Sequence, residues 1–166
     1  MNKETWRTIA GVVALVLWIS SLVLPAVTLC SPPGSSIESW PGGFVLIFGW
    51  LGPTEGQFGW YANLTMLWMS LRLIFRYRAG LAPGLIGLCL ALTSFSWTGI
   101  RGDGPPATIC QHNSGFFVWI VCAVFLCAFA LVERFLSGAT TKNPVEALPL
   151  SDNDSTPPHH SESDVA

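Results

Sequence analysis

Apolar residues in this chain are concentrated in four blocks, separated by short segments that hold most of the Gly, Pro and charged residues. The blocks cover residues 8–29, 58–75, 80–100 and 116–132. Each is close to the ~20 apolar residues that a helix needs to cross the ~30 Å hydrocarbon core of a bilayer. The pattern therefore predicts an all-α membrane protein in which residues 1–136 form a four-helix transmembrane bundle.

The first block has a rival interpretation as a signal peptide, because it follows Lys3 and Arg7 at the N-terminus. The apolar region of a signal peptide has ~7–15 residues and ends at a small-x-small cleavage site. Here the uncharged stretch runs from Thr8 to Leu29 without such a site. We therefore predict an uncleaved span.

A shorter apolar block, residues 44–51, lies between Pro41-Gly42-Gly43 and Gly52-Pro53. Eight residues are too few to cross a membrane. The block predicts a short interfacial or re-entrant helix in the first outer loop, which lies along the interface, dips into it or covers the mouth of the bundle. Both a lid packed on its own helices and a surface for a partner remain open.

Composition supports a membrane protein, since 51% of the residues are hydrophobic and only 11% are charged, against roughly 25% charged in soluble domains. The same balance argues against a nucleic-acid partner, a collagen and a disulfide-rich secreted domain. The composition changes at residue 137, after which Ser, Thr, Pro, Asp and Asn prevail. Residues 137–166 are thus predicted to be a disordered acidic cytoplasmic tail.

Basic residues predict the orientation, because Lys and Arg resist translocation across the membrane. Seven of the eight flank the N-terminus, the turn between spans two and three, or the C-terminal end, and only Arg101 lies in a segment on the other side. Both termini are therefore expected in the cytoplasm. Tryptophans agree with this orientation, because five of them lie at the predicted outer boundary, where indoles prefer to sit. They are Trp40, Trp50, Trp60, Trp97 and Trp119.

Two of the five cysteines, Cys30 and Cys110, lie outside the spans and on the same predicted side. A disulfide between them would tie the outer end of span one to the loop before span four. Two free thiols are the alternative. The other cysteines lie within spans and show no Cys-x-x-Cys spacing, which indicates small buried side chains rather than a redox relay.

The segment GWLGPTEGQFGWYAN, followed by an apolar helix that ends in arginines, resembles a pattern in uncharacterised small four-span bacterial inner-membrane proteins. In that pattern a Gly-Trp-x-Gly segment leads into an aromatic-Ala-Asn-Pro helix start, and here Leu64 stands in place of the proline. The resemblance covers about an eighth of the chain. It implies four spans in a bacterial inner membrane and no particular activity.

No segment combines a nucleophile, a base and a stabilising group, and no acid or His lies deep in a span. We therefore expect neither an enzyme nor a metal or cofactor site. The leading hypothesis is a non-enzymatic protein that contacts a membrane or periplasmic protein, as an accessory, assembly or immunity-type factor. A small oligomeric transporter or channel is the alternative, and the small-residue stripes also permit a homo-oligomer. The candidate interaction surface is aromatic: Trp40, Phe44, Trp50, Phe58, Trp60 and Tyr61.

Overall fold

A computed structural model of the chain describes residues 2–30, 38–55, 57–100 and 107–140. This part of the chain contains five α-helices. They are α1 (Lys3–Val23), α2 (Gly42–Phe48), α3 (Tyr61–Ile74), α4 (Leu81–Thr93) and α5 (Ser114–Thr140). A 3-10 helix, Gly49–Glu55, follows α2, and a 3-10 turn, Ser94–Ser96, follows α4. By length and composition, α1 and the segment Ser114–Ser137 of α5 can cross a membrane.

Four short strands form an antiparallel sheet at one end of the helices, which we call the sheet end. They are β1 (Pro25–Cys30), β2 (Glu38–Pro41), β3 (Gly99–Ile100) and β4 (Ala107–His112), in the order β2-β1-β4-β3. The all-α prediction is therefore wrong for the connecting segments, although the chain is mostly helical. These strands have only two to six residues. Pairing between segments that are distant in the sequence holds them together, and no period-2 pattern in the sequence predicts them.

The first predicted span, residues 8–29, is divided between a helix and a strand. Helix α1 ends at Val23, and Leu24 already has an extended backbone (φ −73°, ψ 152°). Pro25 explains this end, because a proline disfavours the helical conformation of the preceding residue. The remaining residues of the predicted span form β1, where Thr28 and Leu29 pair with Ser39 and Glu38 of β2.

The other three predicted spans are helical, with different ends. Helix α3 begins at Tyr61 rather than residue 58, and α4 ends at Thr93 rather than residue 100. The Thr93 and Ser96 hydroxyls donate to the backbone oxygens of Leu90 and Thr93 (2.7 and 2.6 Å). Such bonds compete with the hydrogen bonds of a helix and favour a turn. Helix α5 continues through Thr140 into the predicted tail. The rest of that tail, residues 141–166, lies outside the described residues, as do Arg101 and Asp103.

Small residues line the contacts between the helices. Ala10 and Ala14 of α1 are buried, and so are Gly84, Gly87 and Ala91 of α4. The predicted small-residue stripes thus serve contacts within the chain. Larger side chains complete the same core, namely Met66, Met69, Leu73, Leu126 and Phe129.

A polar network joins the helix ends opposite the sheet. Arg7 forms an ion pair with Glu133, whose other oxygen accepts the backbone N–H of Ala79 (2.7 Å). Arg76 pairs with Glu4 (3.2 Å) at a more exposed position. These contacts bring the start of α1, the turn between α3 and α4 and the C-terminal half of α5 together, and we call this the basic end.

We predict that Gly11→Ala destabilises the protein although alanine favours a helix by about 1 kcal/mol. A Cβ at Gly11 would lie 2.8 Å from both the Ile74 nitrogen and the Ser70 oxygen, which are backbone atoms of α3. Overpacking of this kind costs about 1–3 kcal/mol. Thermal unfolding in detergent should show a lower Tm. Val12→Ala, at an exposed neighbour, is the control and should change the Tm little; an unchanged Tm for Gly11→Ala would contradict the contact.

Candidate functional site

Helix α2 and the 3-10 helix Gly49–Glu55 lie across the sheet end, and we call residues 42–55 the cap. The Gly42 N–H donates to the Leu24 oxygen (3.0 Å), and a Cβ at Gly42 would collide with the Ser21 carbonyl oxygen. On the other side of the cap, the Trp60 indole donates to the Leu46 oxygen (2.7 Å). The predicted short helix in the first outer loop is therefore present and is fastened to the ends of α1 and α3.

The outward face of the cap is apolar and aromatic. Phe44, Ile47 and Phe48 lie at the i, i+3 and i+4 positions of α2 and are each more than half exposed. Trp40 joins them, with its ring centroid 6.2 Å from Phe44 and 6.5 Å from Phe48. We call these four residues the aromatic patch. Its only nearby charge in the described contacts is Glu38, which accepts the Trp40 indole N–H (3.3 Å).

The six predicted surface residues do not form one cluster. Trp40 and Phe44 belong to the aromatic patch, while Trp50 and Phe58 are exposed at other points around the cap. Tyr61 is 38% exposed and packs edge-on against Trp60 at 5.4 Å. Trp60 is half-buried beneath the cap, where its indole is occupied by the bond to Leu46. Its observed contacts are therefore those of a residue that holds the cap in place.

A cavity of about 70 Å³ separates the cap from the helices and the sheet. Buried residues such as Val27, Gly59 and Asn63 line it on the inner side, while half-buried ones such as Val45 and Gln57 line it on the cap side. Aromatic walls come from Trp60, Trp97, Phe116 and Trp119. None of the described residues that line it carries an ionisable side chain, so these walls suit a neutral occupant.

Asn63 stands at the inner wall of this cavity and joins three helices. Its side-chain oxygen accepts the indole N–H groups of Trp18 in α1 (3.0 Å) and Trp119 in α5 (2.8 Å). Its amide nitrogen donates to the Trp60 oxygen (3.1 Å). Because an indole nitrogen can only donate, the orientation of this amide is unambiguous. Loss of the oxygen would leave two indole donors unpaired, each at a cost of about 1–3 kcal/mol if buried.

This arrangement was not predicted, although its members are visible in the sequence. Neither Asn63 nor Trp18 is among the site residues predicted from the sequence. An amide deep in an apolar block signals a polar contact inside a membrane helix. The identity of its partners depends on the rotation of α1 and α5, which no local pattern specifies.

His112 forms a second unusual environment, at the end of β4. Its ring lies 4.2 Å from that of Phe116 and 6.1 Å from that of Phe95. Its Nε2 atom is buried and has no hydrogen-bond partner among the described residues. Burial therefore lowers the pKa of His112 from its ordinary value, because a charged imidazole would lose its hydration.

Cys30 and Cys110 form a disulfide, with their Cα atoms 5.8 Å apart. The bond joins the end of β1 to β4, two strands that are also paired. The predicted bridge is confirmed. Within the described ranges, no group of three or more His, Cys, Asp or Glu residues is positioned to hold a metal ion.

No protein-family model matches this chain, and no curated protein or solved structure does so in the corresponding comparisons. The resemblance to small four-span inner-membrane proteins therefore stays a prediction. The geometry of the sheet end is therefore the basis for inferring the function.

We predict that acid destabilises the protein through His112. Since burial lowers the pKa of His112 in the folded state, the unfolded chain binds more protons, and stability falls as the pH drops below about 6.5. His112→Phe keeps an aromatic ring beside Phe116 and removes the titration. The Tm of the wild type should therefore fall more between pH 7.5 and pH 5 than the Tm of His112→Phe. Parallel curves would show that His112 is protonated as easily when folded as when unfolded.

Proposed function

We propose that the chain is a multi-pass protein of a bacterial inner membrane, in which α1, α3, α4 and α5 all cross the bilayer. Large apolar side chains on the outer faces of these helices support this proposal. Examples that are about half exposed occur on each helix: Val16 on α1, Trp68 on α3, Ile86 on α4 and Val121 on α5. Soluble monomers rarely expose an apolar area of this extent. Lipid is the solvent that such a surface fits.

The two middle helices are short for this role. At 1.5 Å per residue, the 14 residues of α3 extend over only about 20 Å, less than the ~30 Å hydrocarbon core. The apolar run of α4 continues through its 3-10 turn to Ser96. A short span is accommodated by local thinning of the bilayer or by protein that covers its end. The cap and the sheet lie at the outer ends of α3 and α4 and supply that cover.

The two ends of the molecule support an orientation with the sheet end in the periplasm. Lys3, Arg7, Arg76 and Arg78 belong to the basic end, which corresponds to the cytoplasmic side under the positive-inside rule. The disulfide belongs to the sheet end, and disulfides persist in the oxidising periplasm. Both termini are then cytoplasmic.

Reporter fusions test this orientation. Alkaline phosphatase, which is active only in the periplasm, should be active when fused after Ser35 and inactive when fused after Lys142. Green fluorescent protein at the same two positions is the complementary control and should show the reverse pattern. Phosphatase activity at Lys142, or its absence at Ser35, would contradict the four-span topology.

We further propose that the protein acts by binding another protein at its periplasmic face, through the aromatic patch. The carrying observation is that Phe44, Ile47 and Phe48 of the patch are each more than half exposed, while the Gly42–Leu24 bond fastens the backbone of the cap to the end of α1. Aromatic side chains are the usual anchors of protein interfaces. A rigid support lowers the entropy that such an anchor loses on binding. The role is that of an accessory or assembly factor, or of an immunity-type protein, and not of an enzyme.

A small oligomeric transporter, the alternative, has less support. Such a protein needs a polar lining, which the cluster of Thr93, Ser94 and Ser96 supplies only in part. The Thr93 and Ser96 hydroxyls are engaged with the backbone of their own helix. Met66, Met69 and Leu126 fill the interior between α3, α4 and α5. The described residues therefore leave no polar path along the helices.

Site-specific crosslinking tests the binding proposal. p-Benzoylphenylalanine in place of Phe44 should form a discrete crosslinked species with one protein in intact cells, and Trp40→Ala in the same chain should reduce its yield several-fold. Phe117, with 52% exposure against 51% for Phe44, is the matched control on α5 and should not form that species. The partner is then identified by mass spectrometry and must co-purify with the wild type. Crosslinks to lipid alone at Phe44 would contradict the proposal.

A further inference from the structure

We propose that the cavity beneath the cap is a binding site for a small neutral molecule that presents a carbonyl or hydroxyl oxygen to Asn63. This inference concerns the interior of the sheet end and does not depend on protein binding at the aromatic patch. It rests on the hydrogen-bond capacity of Asn63, on the uncharged lining and on the size of the cavity.

One of the two N–H groups of the Asn63 side-chain amide has no hydrogen-bond partner among the described residues. A side-chain amide has two N–H groups and one oxygen with two lone pairs. Both lone pairs are used by Trp18 and Trp119, and one N–H is used by the Trp60 oxygen. Among the described residues, the second N–H has no acceptor. Asn63 is 9% exposed and lines the cavity. A bound molecule with an acceptor oxygen would therefore satisfy this N–H group, which otherwise lacks a hydrogen bond at a cost in free energy.

The lining defines the rest of the ligand. The described lining residues have no ionisable side chain and so disfavour a charged group, whose desolvation they would not compensate. Aromatic and aliphatic walls, including Trp97, Phe116 and Val45, favour an apolar body behind the oxygen. A volume of about 70 Å³ admits a molecule of only a few heavy atoms. This volume is matched by a small ketone, amide or alcohol rather than by a whole phospholipid with its headgroup and two chains.

The probe for the test is acetone, which has four heavy atoms and one carbonyl oxygen. The full-length protein in detergent, labelled with ¹⁵N, is titrated while the side-chain amide of Asn63 and the indole N–H resonances are followed. The Asn63 amide should shift saturably, with a Kd on the order of millimolar, as the binding energy available to so few atoms requires. Xenon, which fills cavities but accepts no hydrogen bond, should leave the free Asn63 proton unshifted.

Two variants fill the cavity without replacing Asn63. Val45→Phe enters it from the cap and should raise the acetone Kd at least tenfold. Ile47→Phe is the matched control, since Ile47 lies on the same helix but is 64% exposed and does not line the cavity. Ala26→Val, from the β1 side, is the second filling variant if Val45→Phe does not fold. Its expected effect is the same rise in Kd.

Other results of the same experiments would contradict the proposed site. A shift that is linear in acetone concentration, or that is unchanged in both filled variants, would overturn the site. An equal effect of xenon on the Asn63 proton would overturn the role of the oxygen. Displacement of acetone by dihexanoylphosphatidylcholine would replace the small ligand by a lipid ester. None of these outcomes alters the crosslinking pattern at Phe44, so failure here is distinguishable from failure of the proposed partner binding.

Discussion

The sheet end is organised around the backbone between Ser21 and Pro25, where α1 gives way to β1. Its carbonyl groups are approached closely by two other elements, the cap and α5. The Leu24 oxygen accepts the Gly42 N–H of the cap, and a Cβ at Gly115 of α5 would come within 2.7 Å of the same oxygen. Beyond Pro25, the strand turns into the sheet. A helix that continued through Leu29, as its hydropathy predicts, would leave the cap and the start of α5 without these partners.

Absence of side chains makes this junction possible. Gly42 and Gly115 approach carbonyl groups of the Ser21–Pro25 segment more closely than any residue with a Cβ permits. The approach converts helix-end carbonyls, which otherwise lack intrahelical partners, into a platform for other elements. In the proposed topology these groups lie near the membrane boundary, where leaving them unsatisfied is expensive. The hydrogen bond from the Gly42 N–H to the Leu24 oxygen satisfies one of them.

The sheet end and the rest of the bundle obey different constraints. Along the helices, small residues such as Ala14 and Gly84 allow close contact, larger ones such as Met66 fill the core, and many other large apolar side chains face outward. At the sheet end, strand pairing, the disulfide and the Asn63–indole bonds do the joining. Position-specific chemistry concentrates there, in the aromatic patch, the cavity and the unpartnered nitrogen of His112. The basic end consists mainly of charged contacts between helix termini.

Much of the fold was accessible from residue order alone. Hydropathy located all four long helices, because a long apolar block indicates a segment that is removed from water. Within two of those blocks, the helix ends near Pro25 and near Ser94. The short helix at residues 44–51 followed from its flanking glycines and prolines. The Cys30–Cys110 bridge followed from elimination, because only these two cysteines lie outside the apolar blocks. All of these features depend on composition or on local backbone chemistry.

Other features depended on the tertiary structure. Strands β1 and β4 pair residues as distant in the sequence as Val27 and His112, and the short length of the four strands leaves no periodic signal. Trp60 turned inward to hold the cap although its position in the chain suggests the surface. Asn63 accepts hydrogen bonds from two indoles because α1 and α5 place Trp18 and Trp119 on the same side of α3. The rotation of one helix against another arises from the summed packing of many side chains, and for that reason the cavity and its polar wall emerged only from the assembled fold.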